Sequence, residues 1–183
     1  MIFSLLEIFY ILITIGAIGF IFAGMIPTPQ KDPLLRKRFD WDEIKLAIYA
    51  VAPGVILHEL FHKFVAMGFG FNAIYEIWPT GLVIGIVLKL VNAGFILLAP
   101  GYVTFAGASP LQSSLIAFAG PAANLLFWIA ASLLLKQKHL SRKVAIILTV
   151  MKESNKWLFI FNMIPIPPLD GYKVFSGIFG NFF

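Results

Sequence analysis

His58, Glu59 and His62 stand in the run His-Glu-Leu-Phe-His, the pattern H-E-x-x-H. On an α-helix, positions i and i+4 lie one above the other on the same face. Two imidazoles so placed can hold one Zn²⁺, and the glutamate between them can serve as general base in a hydrolysis. A chance match is on the order of one in a thousand. The alternative is a pair of buried histidines bonded to polar groups. It is disfavoured because two histidines and a glutamate inside an apolar segment are expensive to bury without a function.

A catalytic zinc takes three protein ligands and keeps a fourth position for water. The chain has no cysteine, which excludes thiolate ligands, a cysteine nucleophile and disulfides. The third ligand must come from His139, Glu76, Glu153 or Asp170. His139 sits among Lys136, Lys138 and Arg142 and reads as a solvated loop histidine. Glu76 and Glu153 read as interfacial or ion-paired acids. Asp170 lies in Asn162-Met-Ile-Pro165-Ile-Pro167-Pro168-Leu-Asp170-Gly171, inside an apolar stretch. Prolines remove backbone donors and break a helix. Irregular backbone at membrane depth is tolerated where it lines a cavity, so an acid there is a candidate ligand. The other reading is a loop aspartate at the interface.

The elements that must position these residues are set by composition. Of 183 residues, 60% are hydrophobic and 13% charged, and phenylalanine occurs 19 times. An ordinary soluble domain is nearer 45–50% apolar and about 25% charged. Mean hydropathy is +0.89. The apolar runs are continuous rather than alternating, which favours helices over a membrane barrel. The expected architecture is an all-α polytopic membrane protein with about four transmembrane helices. A re-entrant or extra hydrophobic segment is expected near 81–107. The runs are Phe3–Ile26, Ile44–Phe69, Gly81–Ala99 and Gln112–Leu135, then Val144–Phe183, which is broken first at Lys152, Glu153 and Lys156 and again at Pro165–Gly171. The first run reads as a retained span rather than a cleaved signal peptide. Residues 1–183 read as one transmembrane domain with a catalytic core at about 44–175. The net charge of +5 gathers at segment ends and in two loops, which suits anionic headgroups of the lipid bilayer and not nucleic acid.

The order of three elements is specific. His58-Glu-Leu-Phe-His62 comes first, then Ala119-Gly120-Pro121-Ala-Ala-Asn124, then the Pro-rich run ending Asp170-Gly171. Over about residues 50–175 the chain resembles the site-2 protease family, intramembrane zinc metalloproteases, in a short form without a PDZ domain. The resemblance implies one Zn²⁺ per chain held by His58, His62 and Asp170, with Glu59 as base. It implies substrate or oxyanion roles for Asn124 and Asn162, with Gly120, Pro121, Pro165, Pro167 and Gly171 as supporting positions. The substrate it implies is a transmembrane helix of another membrane protein, cut within or next to the membrane. The Lys152-Glu-Ser-Asn-Lys156 cluster departs from the apolar helix expected there.

His58 and Asp170 fall near the far ends of their segments. For both to reach one metal, those segments must run parallel, with an odd number of spans between them. Gly81–Ala99 and Gln112–Leu135 would make two, so one is not a full crossing. Lys89 marks the first, since a lysine at a helix centre costs about 2.5–3.5 kcal/mol on insertion scales. Breaks at Asn92-Ala-Gly94 and Pro100-Gly101 are expected, with a full span carrying Lys89 inward as the alternative. Pro53-Gly54 is expected to weaken the ladder of the histidine helix. Thr149, Lys152, Glu153 and Lys156 share a helical face and either line a water path or mark a helix start at headgroup level.

Rival readings are a metal or ion transporter or carrier using the His/Glu/Asp cluster, another H-E-x-x-H protease with Glu76 or Glu153 as ligand, and an inactive scaffold. Transporters of this kind usually show repeats, and none is visible. The family's active site faces the cytosol. The positive-inside rule instead draws Arg36-Lys-Arg38 and the Lys136–Lys143 loop inward, opposite the site.

Overall fold

The four longer helices start where the sequence supplies a capping side chain. Ser4 accepts from the Glu7 N–H at 3.2 Å and Glu7 accepts from the Ser4 N–H at 2.9 Å, opening α1 (Leu5–Phe22). Asp40 opens α2 (Trp41–Gly68), and Ser109 with Gln112 forms a second reciprocal cap at α4 (Pro110–Leu134). Such caps satisfy amides that a helix start leaves without partners. The computed structural model describes residues 2–26, 40–93 and 100–180. Between α2 and α4 lie β1 (Ile74–Ile77), α3 (Pro79–Leu90) and β2 (Gly101–Thr104); α5 (Arg142–Asn162) and α6 (Asp170–Phe179) complete the chain.

Among the described residues, three helices, α1, α2 and α4, are long and apolar enough to cross a membrane. Large apolar residues such as Leu5, Phe9 and Leu12 of α1 are exposed, as a lipid-facing surface requires. The core lies between α1, α2 and α5. Ala47, Ala50, Val51 and Val55 of α2 pack with Ile18 of α1 and with Ile146, Ile147 and Val150 of α5. The small residues of α2 let the backbones approach closely.

Helix directions follow from contacts. Along α2, Gly54, His58 and His62 meet Asn124, Asn124 and Ile116 of α4, so α2 and α4 are antiparallel. Along α6, Val174 meets Ser114 and Gly177 meets Pro110, so α6 is antiparallel to α4 and parallel to α2. One long apolar antiparallel helix, α4, therefore lies between the segments that carry His58 and Asp170, the odd number that the parity argument requires.

The segment at 81–107 folds back. α3 has 12 residues, about 18 Å of helix, against about 30 Å of hydrocarbon. β1 and β2 pair antiparallel with Ile77 opposite Gly101, so the chain leaves and returns at one place. The helix ends at Leu90, and Asn92 takes φ 53°, a break at one of the expected positions; Gly94 lies outside the described residues. Lys89 does not face lipid. Its ammonium bonds the carbonyls of Phe20 and of Ala23 at the C-terminus of α1. Cations there satisfy free carbonyls and the negative end of the helix dipole.

The chain is mostly helical, as expected, and adds a short two-stranded pairing, whose strands of four residues lie too far apart in sequence to show a hairpin signal. One expectation needs correction. The break at Lys152–Lys156 is absent: α5 runs unbroken through it, because Glu153 pairs with Lys152 at 3.0 Å and Lys156 at 3.7 Å on an accessible face. α2 runs on through Pro53, whose missing N–H leaves one bond of the helical ladder unmade. The Arg36-Lys-Arg38 run lies outside the described residues.

The hairpin is tied down from below. The buried Lys63 ammonium pairs with the buried Glu7 carboxylate and donates to the Ala73 carbonyl at 2.7 Å. Glu7 also accepts from the Tyr75 N–H at 2.9 Å, and Tyr75 Oη lies 2.8 Å from Thr14 Oγ1. Burial pushes the Tyr75 hydroxyl up to about 12, so it remains a neutral phenol.

Candidate metal centre

α2 presents His58 and His62 toward α4, one turn apart, and the start of α6 brings in Asp170. The His58 and His62 Nε2 atoms lie 3.1 Å apart, and Asp170 Oδ2 is 3.1 Å from the first and 3.3 Å from the second. Among the described residues this is the grouping of His and acid side chains able to hold a metal.

The outer nitrogens show which inner atoms carry lone pairs. His62 Nδ1 lies 2.7 Å from the Ile116 carbonyl, which can only accept. Its Nδ1 therefore donates, and in the neutral ring Nε2 keeps its lone pair. His58 Nδ1 lies 2.6 Å from Asn124 Oδ1, while Asn124 Nδ2 donates to the Gly54 carbonyl at 3.0 Å and to Asn155 Oδ1 at 2.9 Å. The amide oxygen thus faces His58, whose Nδ1 donates, so its neutral ring likewise keeps the Nε2 lone pair. Two imidazole lone pairs and a carboxylate oxygen converge, a set of acceptors that a cation satisfies. Two nitrogens and one oxygen with outer bonds to a carbonyl and an amide fit catalytic zinc.

Space for this arrangement comes from Gly120. A Cβ there would stand 2.7 Å from His58 Nε2 and would collide with the His62 ring. Pro121 beside it is fully buried. α5 ends at Asn162, and residues 163–169 turn the chain so that α6 starts at Asp170. A Cβ at Gly171 would stand 2.6 Å from the Ile164 carbonyl, so only glycine permits the turn to close this tightly. Pro165 and Pro167 are exposed in the turn. α6 is docked by Ser114, whose hydroxyl bonds the Lys173 and Val174 carbonyls at 2.9 and 2.7 Å.

His58, His62 and Asp170 border a cavity of about 460 Å³. Glu59 and Asn162 line it, as do Trp78, Tyr102 and Val103 of the hairpin region. Asn162 donates to its own helix at the Leu158 carbonyl, 3.0 Å away. Asn124 lies elsewhere: it is fully buried behind His58 and does not line the cavity. The register leaves one edge of β2 facing away from β1. Trp78 N–H bonds the Pro100 carbonyl, so Glu76 pairs with Tyr102 and Ile74 with Thr104 through their backbones. Gly101 and Val103 therefore turn their backbone groups outward, and both residues line the cavity.

The other candidate ligands stay apart from the cluster. Glu76 accepts from Tyr102 Oη at 3.0 Å and Thr104 Oγ1 at 3.3 Å. Glu153 pairs with lysines, Thr149 bonds the Ala145 carbonyl, and His139 is exposed in the α4–α5 loop. None of Thr149, Lys152, Glu153 and Lys156 lines the cavity. Sequence reasoning missed Asn155, fully buried under Asn124, and the Glu7–Lys63 pair. The one signal for Asn155 was a polar cluster in an apolar stretch.

Comparison with known proteins agrees with this chemistry. The chain is 37% identical over 135 residues to the "Putative zinc metalloprotease MJ0611" of Methanocaldococcus jannaschii, covering 70% of this chain and 68% of that protein. It is 28% identical over 164 residues to the "Putative zinc metalloprotease YwhC" of Bacillus subtilis, covering 77% and 74% respectively. No protein-family model matches the chain, and no solved structure does. With that identity and coverage, and with His58, His62 and Asp170 gathered at one point, the chain belongs to the zinc metalloprotease family of the M. jannaschii protein.

Proposed function

We propose that the protein is an intramembrane zinc metalloprotease of the site-2 type, which cuts peptide bonds within or beside membrane-spanning helices of other membrane proteins. The observation that carries this reading is the convergence of His58, His62 and Asp170 between helices that include two apolar spans, with Glu59 in the same cavity. One zinc held by these three residues would supply a Lewis acid that polarises the scissile carbonyl and acidifies water.

The chain's own residues do the rest. Glu59 takes the proton of the attacking water and delivers it to the leaving amine. Asn162 has a second amide hydrogen beyond the one given to Leu158, and from the cavity wall it donates to the developing oxyanion. Asn124 holds His58 from behind and positions it. A helical substrate hides its carbonyls in its own hydrogen bonds and must be unwound first. The outward backbone groups of Gly101 and Val103 offer the extended segment replacement partners along the cavity.

The test is cleavage of a single-span substrate reconstituted in liposomes. Wild type is expected to cut it and a chelator to stop cleavage. Glu59→Gln is expected to bind the same zinc and leave the substrate whole. Chelator-insensitive cleavage by both proteins would refute the reading.

A further inference from the structure

We infer that Asn155 is a positioning residue for the metal: acting through Asn124, it fixes which nitrogen of His58 carries the proton. The inference rests on the zinc reading above. Asn155 is the buried residue of α5 among the described residues, in a helix whose charged neighbours Lys152, Glu153 and Lys156 pair on the accessible side. Polar groups are rarely buried completely unless every hydrogen bond is made.

The bonds form a directed chain. It begins at the Met151 carbonyl, which can only accept, so Asn155 must turn its Nδ2 there, at 2.8 Å. Its Oδ1 is then left to accept from Asn124 Nδ2 at 2.9 Å. The Gly54 carbonyl, again acceptor-only, takes the other Asn124 hydrogen at 3.0 Å. Both Asn124 hydrogens are committed, its oxygen points at His58, and His58 Nδ1 must donate. The bare Nε2 faces Asp170 and His62. Gly54 makes this chain possible, since a Cβ there would stand 2.6 Å from Asn155 Nδ2. The Pro53-Gly54 step in the histidine helix thus serves to admit an amide from α5.

Packing alone makes the opposite ranking of variants. Leucine is close to asparagine in size and apolar, so a space-filling role tolerates Asn155→Leu better than Asn155→Asp. A hydrogen-bonding role favours the acid. Burial keeps such an acid protonated, so its O–H serves Met151 and its carbonyl still accepts from Asn124.

The experiment measures Zn²⁺ affinity of the detergent-purified full chain by competition with a chromophoric chelator. The visible absorption of the Co²⁺-loaded protein reports ligand geometry. Asn155→Leu is expected to lose about tenfold in affinity, the low end for outer-shell changes, and to alter the Co²⁺ bands. Asn155→Asp is expected to keep near wild-type affinity and bands. Asn124→Leu is expected to lose more, and Asn124→Leu/Asn155→Leu to lose no more than Asn124→Leu alone. If leucine is not accommodated beside Gly54, Asn155→Ala provides the same comparison. Wild-type affinity in Asn155→Leu, equal losses in Leu and Asp variants, or additive losses in the double variant would overturn the inference. If His58→Ala still loses the metal in those cases, the zinc reading stands without it.

Discussion

Asn124 Oδ1 lies 2.6 Å from His58 Nδ1, on the far side of the imidazole from Asp170. That bond makes His58 Nδ1 the donor and turns Nε2 toward Asp170 and His62, the grouping that could hold a metal. It also places Asn124 where it cannot touch a substrate in the cavity.

Gly120→Ala is expected to disable the site while leaving the helix intact. The added methyl would stand 2.7 Å from His58 Nε2 and push both rings aside. Displacements of about 1 Å cost on the order of 10²-fold in rate. Cleavage assays should show that loss. Circular dichroism should show unchanged helix content, since alanine favours helix over glycine.

Asp170→Asn should weaken zinc binding by more than the about 10–100-fold of an outer-shell change, because the amide lacks the carboxylate's charge. Glu76→Gln and Glu153→Gln should bind zinc as wild type does, since neither acid reaches the cluster. Chelator competition on the purified variants checks all three.

Glu7→Gln is expected to destabilise the fold by about 3–5 kcal/mol, because it leaves the buried Lys63 ammonium without its counter-charge. Lys63→Met in the same background should recover much of the loss. Thermal unfolding in detergent measures both.

How far these residues were legible depends on sequence distance. His58, Glu59 and His62 lie within one helical turn, so spacing alone exposes them. Asp170 was legible because prolines mark the break before it. Asn155 was not, since its partner lies 31 residues away and only the packed helices bring them together. Glu7 is the one charge in its apolar run, yet its partner Lys63 lies 56 residues on, and only the packing of α1 against α2 brings them together. The hairpin was hidden for the same reason: Ile74 and Thr104 pair across 30 residues.

The fold-back of 81–107 predicts sidedness. The cysteine-free chain allows single cysteines at Gly68 and Pro110, both exposed, to be labelled without background. Impermeant maleimide should reach both from one side of sealed vesicles. Lys138→Cys, beyond the far end of α4, should label from the other. We expect the Gly68 side to be cytosolic, against the pull of the basic loop. Opposite labelling of Gly68 and Pro110 would mean that 81–107 is a full crossing.

The central claim is tested most directly by counting zinc atoms per chain in protein purified without added metal, by inductively coupled plasma mass spectrometry. The account predicts about one zinc in wild type and in Glu59→Gln, and almost none in His58→Ala/His62→Ala. Stoichiometric zinc retained by the double histidine variant would contradict it.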